Sequence, residues 1–317
     1  MSTGRGQPAA TTAQRVAAPK PAPAQGQLQR SQTRLAWILL VPTLAVVVFI
    51  ALWPLAQTIY LSFTDARLAS GQPAEFIGVE NYSFLFSDPA WWNAVWVTLK
   101  FAFITVAFEF VLGLIVALVI SSNFKGRGLM RTAMLVPWAI PTVVSAQMWN
   151  WMYNDIYGVV NDLLVNKFGI LSQNVAWIAQ PNTALPAIAA VDIWKTTPFV
   201  ALLLLAGLQV IPSDVYEAAT VDGANKLQQF TRVTLPLLMP AILVTLIFRT
   251  LDAVRVFDVF YVMFGARPDT QTMAIYNQQQ LVAFSDLGYG SAVSVAIFVV
   301  IGIIVAAYVT FLRVEEV

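Results

Sequence analysis

Six long apolar windows constrain this chain more than any other feature of its sequence. They span approximately residues 35–60, 94–120, 129–149, 184–210, 235–263 and 291–312. A run of about 18 apolar residues is long enough to suggest a helix that crosses a bilayer. Only 11% of the 317 residues are charged, whereas soluble domains average about 25%. The sequence therefore predicts an all-α membrane protein with six transmembrane helices.

Residues 1–34 differ in composition from the rest of the chain. They are rich in Pro, Ala, Gln and Thr and contain no large apolar cluster, which is typical of a disordered segment. The apolar run that follows is longer than the about 7–15 residues of a signal-peptide core, so we expect a retained helix. The predicted organisation is a disordered cytoplasmic tail at 1–34 and a transmembrane domain at 35–317.

Lysine and arginine are unevenly divided between the two sides of the predicted bundle. If the N-terminus is inside, eleven lie on the inner side: Arg5, Arg15, Lys20, Arg30, Arg34, Lys125, Arg127, Arg131, Lys226, Arg232 and Arg313. Three lie on the outer side: Arg67, Lys167 and Arg267. Because positively charged loops stay in the cytoplasm, both termini and the connection between the fourth and fifth windows are predicted to be cytoplasmic.

The residue types that are missing exclude several classes of function. The chain has no cysteine and no histidine, which leaves no thiolate nucleophile, disulfide, zinc thiolate or imidazole proton shuttle. It also has no G-x-S-x-G or H-E-x-x-H motif, so an intramembrane enzyme is excluded. No basic stretch interleaved with aromatic residues indicates nucleic-acid binding. We expect a chain that is not an enzyme and holds no metal or cofactor.

One organised polar segment, VYEAATVDGANKLQQFTRVTLPLLMP at 215–240, interrupts the apolar sequence. Ser213 or Asp214 is suited to cap a short helix, and Gly223 is suited to end it. A second short helix is predicted at 226–232. Because short helices are marginally stable in water, this segment is expected to dock on another protein. The alternative is a hydrophilic loop that only reverses the chain.

This segment resembles the cytoplasmic loop of ABC-importer permeases, with its pattern E-A-A…D-G-A…F…L-P. The residues that carry the pattern are Glu217, Ala218, Ala219, Asp222, Gly223, Ala224, Phe230, Val233 and Pro236. Stretches such as IWKTTPFVALLLLAGLQVIPSDVYEAA and RVFDVFYVMFGARPDTQT are similar to the maltose-type, carbohydrate-uptake branch. The resemblance covers about 35–313 and is strongest to mycobacterial trehalose importers.

The resemblance implies a type I ABC importer permease fold in the plasma (inner) membrane. The loop at about 212–235 would be a coupling helix that docks on an ATPase subunit through Glu217, Ala218, Ala219, Asp222, Gly223 and Ala224. The implied partners are a second homologous permease, two copies of the ATPase subunit and an extracytoplasmic sugar-binding (lipo)protein. ATP and Mg would be used by the ATPase subunits, since this chain has no G-x-x-x-x-G-K-[ST]. The implied substrate is a disaccharide, with trehalose favoured.

Ionisable residues inside the apolar windows are candidates for a functional site, because burying them in lipid is costly. Asp192 and Lys195 are three residues apart and able to pair. Arg249, Asp252, Arg255 and Asp258 recur at every third position and are predicted to form a ladder of alternating charge. At about 1.5 Å per residue, the two sets share a level in the bilayer.

Charged groups beside aromatic faces suit a sugar, whose hydroxyls form hydrogen bonds while the ring stacks. Combined with positions that the resemblance points to, the predicted sugar-binding residues are Trp138, Thr142, Trp194, Lys195, Thr196, Phe199, Asp252 and Arg255. Two alternatives stay open: the ladder consists of salt bridges that hold a partner permease, or the buried carboxylates serve an ion-coupled secondary transporter. Glu109 is expected to have a structural partner that the sequence does not name.

Overall fold

The computed structural model describes residues 25–68 and 70–311, and these form helices without a β-strand. The helices are α1 (Gln25–Val47), α2 (Trp53–Leu61), α3 (Glu80–Ser87), α4 (Pro89–Ser121), α5 (Arg127–Ala139), α6 (Thr142–Met152), α7 (Val159–Asn161), α8 (Pro181–Val210), α9 (Ser213–Val221), α10 (Lys226–Gln229), α11 (Leu235–Val254), α12 (Asp258–Phe264), α13 (Met273–Gln278) and α14 (Leu287–Phe311). The predicted all-α class is confirmed.

Five helical runs are long and apolar enough to cross a membrane. They are Gln32–Leu61, Pro89–Ser121, Pro181–Val210, Lys226–Phe264 and Leu287–Thr310. The pair α5 and α6 would be a sixth span if counted as one broken helix. Counted in this way, the described residues contain the six predicted spans, and the third span is divided into two parts.

The chain divides into two compact units, Met1–Ala56 and Gln57–Val317. In the first unit α1 begins at Gln25, ten residues before the predicted start of the transmembrane domain at residue 35. Gln, Leu and Arg in 25–34 favour a helix, whereas 1–24 lie outside the described residues. Trp37 and Leu39 are 57% and 66% exposed, which gives this helix an apolar surface suited to lipid.

The third apolar window is bent by 87° between α5 and α6, which corrects the prediction of one continuous helix over 129–149. Ile140 adopts an extended conformation with ψ 132°. Proline restricts the residue before it to such conformations and donates no backbone hydrogen bond. Pro141 thus explains the position of the bend.

The fifth window is also interrupted, since α11 ends at Val254 and α12 begins at Asp258. The predicted ladder is therefore wrong as a feature of one continuous helix. Residues 255–257 contain neither glycine nor proline, so local propensity does not predict the break. The three residues at the break, Arg255, Val256 and Phe257, line a cavity.

Close contacts between α4, α8 and α11 form the centre of the second unit. Ala117, Val200, Leu204 and Leu238 are buried together in one apolar cluster. Gly113 of α4 lies against α8 so closely that an added Cβ would meet Val200 Cγ1 at 2.6 Å and the Ala201 nitrogen at 3.2 Å. Small residues allow this approach, as is common where membrane helices pack.

We predict that Gly113→Val separates α4 from α8 and lowers thermal stability, because overpacking costs about 1–3 kcal/mol. The measurement is the unfolding midpoint of the purified protein in detergent. Gly302→Val in α14 is the matched control, since a Cβ at Gly302 meets nothing within 4 Å. Equal midpoints for the two variants would contradict the prediction.

Candidate functional site

A buried cluster of charges joins the three central helices. Arg249 of α11 is 2% exposed and Glu109 of α4 is fully buried. The Arg249 guanidinium donates to Glu109 through Nη2 at 2.9 Å and also through Nε. It also pairs with Asp192 of α8 and, at 3.1 Å, with Asp252. One arginine therefore holds three carboxylates from three helices.

The arrangement resolves two expectations from the sequence. The structural partner of Glu109 is Arg249, with the Thr196 hydroxyl as a second contact. Asp192 pairs with Arg249, and no ion pair joins it to Lys195 in the described part of the chain. The predicted Asp192–Lys195 pair is therefore wrong. The Arg249 guanidinium can bind two carboxylates at once, and the Asp192 carboxylate is one of them.

The cluster borders a cavity of about 450 Å³. Its lining includes six of the eight predicted sugar-binding residues, namely Trp138, Thr142, Lys195, Thr196, Asp252 and Arg255. Asp192, Arg249 and Asp258 also line it. The bend after α5 and the break after α11 both open on this cavity, so the two interruptions of the spans shape its wall.

The lining residues differ in how much hydrogen-bonding capacity they have left. The Asp252 side chain is 73% exposed, and Arg255 is exposed with no ion pair among the described residues. The Thr196 hydroxyl is occupied by Glu109 and by the Asp192 carbonyl at 2.6 Å. Arg255 and the exposed part of Asp252 therefore keep hydrogen-bonding capacity on the cavity side, whereas Thr196 belongs to the buried cluster.

The aromatic candidates lie in two places. Trp138 lines the cavity, and its ring stacks on Phe199, with centroids 6.0 Å apart and planes 12° apart. Phe199 itself is outside the lining and supports Trp138 from behind. Trp194 is also outside the lining and packs edge-on against Trp149 at 5.5 Å. Of the three, the structure brings only Trp138 to the cavity.

The polar segment between the fourth and fifth spans folds as two short helices, α9 and α10. Gly223 has φ +80° and follows the end of α9, which confirms the predicted stop. The predicted N-cap at Ser213 or Asp214 is wrong, because α9 begins at Ser213 after Pro212 without a side-chain cap. A capping box forms instead at α10, between Asn225 and Gln228.

Side-chain contacts fix α9 against the beginning of the fifth span. Tyr216 and Thr234 hydroxyls lie 3.1 Å apart, and Gln229 donates to the Thr220 hydroxyl at 3.0 Å and to the Ala224 carbonyl at 3.1 Å. These hydrogen bonds hold α9 against the residues that lead into α11.

The exposed face of this segment contains the predicted docking residues. Glu217, Ala218, Asp222 and Gly223 are exposed, while Ala219 and Ala224 are half-buried. Val221 is 87% exposed and Leu227 71% exposed. Glu217, Val221 and Lys226 help to line a groove of about 350 Å³ between α9 and α10. The surface therefore combines the exposed carboxylates of Glu217 and Asp222 with exposed apolar residues.

The sequence belongs to a known family of transport proteins. Residues 109–313 match the family described as binding-protein-dependent transport system inner membrane component. The matched range includes the buried cluster, the cavity and the α9–α10 segment. The chain is therefore a multi-pass inner-membrane component of an ABC transport system, and such permeases transport solutes rather than catalyse reactions.

Curated relatives cover almost the whole chain. The sulfoquinovosyl glycerol permease SmoG of Agrobacterium fabrum is 43% identical, with 89% of this chain and 91% of the relative covered. The trehalose/maltose permease MalF of Thermococcus litoralis is 41% identical, covering 87% and 92%. The trehalose permease SugA of Mycobacterium tuberculosis is 39% identical, covering 88% and 89%. The resemblance to carbohydrate-uptake permeases is confirmed.

A solved structure supports the fold independently. A chain of a bacterial ABC transporter that imports the acidic polysaccharide alginate superposes with a TM-score of 0.76 at 25% identity. The superposition covers 90% of this chain and 98% of the other. The predicted fold of an ABC importer permease is therefore confirmed.

We predict that Arg249→Met destabilises the protein by about 3–5 kcal/mol, because it leaves buried carboxylates without a partner. The thermal midpoint of the detergent-solubilised protein measures this effect. Asp252→Asn is the matched control, since it removes the exposed partner and leaves the contacts to Glu109 and Asp192 in place. A larger loss for Asp252→Asn than for Arg249→Met would show that the buried contacts are not the stabilising ones.

Proposed function

We propose that this chain is the permease subunit of an ABC importer that moves a sugar into the cytoplasm. The observation that carries the proposal is the cavity beside the buried cluster, which is lined by Trp138 together with the exposed side chains of Asp252 and Arg255. Stacking on the ring and hydrogen bonds to the charged groups suit the two kinds of surface of a sugar. The carbohydrate names of the relatives support the same class.

The cavity suits a disaccharide in size and in charge. Small-molecule sites are about 300–1,000 Å³, and this cavity of about 450 Å³ falls within that range. Its lining contains three carboxylates and three cations, namely Asp192, Asp252, Asp258, Lys195, Arg249 and Arg255. The formal charges cancel, which favours a neutral sugar. We favour trehalose, since two of the relatives are named for it.

A second candidate is an anionic sugar derivative such as sulfoquinovosyl glycerol, the compound in the name of SmoG. The observation that favours it is the exposed Arg255, which has no ion pair among the described residues. Asp252 and Asp258 also line the cavity and would repel a sulfonate, so we place this candidate second.

Within the cavity, we propose direct contacts to sugar from Trp138, Thr142, Asp252 and Arg255. Thr196 would act by fixing Glu109, and Phe199 by supporting the Trp138 ring. Trp194 would belong to the aromatic packing around Trp149.

Transport is proposed to follow alternating access that is driven by ATP hydrolysis in separate subunits. A second homologous permease would complete the path, and an extracytoplasmic binding protein would deliver the sugar. Of the two ATPase subunits, one would dock on this chain through Glu217, Ala218, Ala219, Asp222, Gly223 and Ala224. The anchoring of α9 to Thr234 supports this role, because it connects the docking surface to α11 and hence to Asp252 in the cavity. The family match favours this mechanism over the ion-coupled alternative.

For the sugar site, we predict that Trp138→Ala raises the KM of trehalose uptake by about tenfold, the effect of losing an aromatic contact. Asp252→Asn is expected to raise the KM by at least a similar factor, because a hydrogen bond to a charged group contributes more than one between neutral groups. The assay compares labelled trehalose, maltose and glycerol phosphate in a deletion strain complemented with each variant.

Trp151→Ala is the matched control for that assay, since Trp151 is 67% exposed and does not line the cavity. Unchanged KM in both cavity variants would exclude the cavity as the sugar site. Uptake of glycerol phosphate but of neither disaccharide would exclude the proposed substrate.

For the docking surface, we predict that Glu217→Lys and Gly223→Asp abolish uptake and reduce co-purification of the ATPase subunit. The first reverses the exposed charge, and the second places a side chain at φ +80°, where only glycine is unstrained. Glu80→Lys on α3 is the charge-matched control. Normal uptake with both loop variants would reject this docking surface.

A further inference from the structure

Lys195 is buried in α8 and directs its ammonium group to the end of another helix. The side chain donates to the Ile140 carbonyl and, at 3.5 Å, to the Trp138 carbonyl. Both carbonyls lie at the C-terminus of α5, where the chain turns by 87° into α6. Lys195 is 8% exposed, and its charge contacts backbone rather than a carboxylate.

The end of α5 needs such a donor. The last carbonyls of a helix have no intrahelical partner and carry partial negative charge. Pro141 follows and has no N–H to offer. Trp138 and Ile140 also line the cavity, and non-helical backbone inside a membrane is tolerated where it borders such a cavity. An ammonium group supplies both hydrogen bonds and an opposite charge, so it stabilises this bend where an apolar side chain would not.

The same face of α8 also supports the ring of Trp138. Phe199 follows Lys195 by four residues, so the two side chains lie on one face of the helix. Phe199 stacks on the Trp138 ring, while Lys195 binds the Trp138 and Ile140 carbonyls. Trp138 is thus held at its ring and at its backbone from a single helix.

We propose that Lys195 is a positioning residue that fixes the bend between α5 and α6 and thereby places the Trp138 ring in the cavity wall. This role differs from direct contact with substrate, which the sequence suggested for Lys195. The effect of Lys195 on sugar affinity rests on the proposed function, whereas its effect on the bend between α5 and α6 does not.

The test uses the full-length chain with its partner subunits in detergent, without sugar. Because the sequence contains no cysteine, a single Ala139→Cys substitution reports on the bend. Ala139 is exposed and lines the cavity. We expect Lys195→Met to change the rate at which a water-soluble maleimide labels this introduced thiol by about fivefold, the factor that one net hydrogen bond provides. Lys195→Arg, which keeps the charge and donors, is expected to restore the rate.

A cysteine in place of Gln72, in an exposed loop, is the control and should be labelled equally in every background. If Lys195→Met does not assemble, Lys195→Gln is compared with Lys195→Arg, and the glutamine variant should show the altered rate. Equal labelling of the Ala139→Cys thiol in all Lys195 variants would overturn the proposal. Altered labelling without any sugar uptake by the parent protein would leave the positioning role intact and reject the sugar assignment instead.

Discussion

The pairing of Arg249 with Glu109 and Asp192 is the interaction on which the rest of the second unit depends. Three charges from three helices meet with little exposed surface, so each is stabilised by the others. Such contacts fix the register of α4, α8 and α11 more narrowly than apolar packing does. The glycine contacts between α4 and α8 then bring the backbones close enough for the side chains to meet.

The same cluster separates residues that hold the bundle from residues that face solute. Asp252 belongs to both groups, since one carboxylate oxygen pairs with Arg249 while most of the side chain is exposed to the cavity. A solute bound at Asp252 would therefore be linked to the buried arginine and to all three helices. This connection gives a physical route by which occupancy of the cavity and the arrangement of the spans influence each other.

A mechanical connection also runs from α9 to the cavity. Tyr216 and Gln229 tie the short helices to the segment that precedes α11, and α11 carries Arg249 and Asp252. In binding-protein-dependent transport systems the ATPase activity lies in other subunits. Contacts that join the surface of this chain to its cavity are therefore relevant to transport. The proposed docking surface and the proposed sugar site thus lie at opposite ends of one helix.

The sequence by itself determined the class of the protein, the approximate positions of the spans and the end of α9 before Gly223. These features depend on apolar run length, on proline and on glycine, which act locally. It also identified most of the cavity lining, because charged residues in apolar windows are rare and conspicuous. Only the tertiary structure decided which charges pair. Asp192 lies three residues from Lys195 but meets Arg249, and Lys195 meets the carbonyls of α5. The packing of distant helices, which the sequence does not show, places these partners within reach.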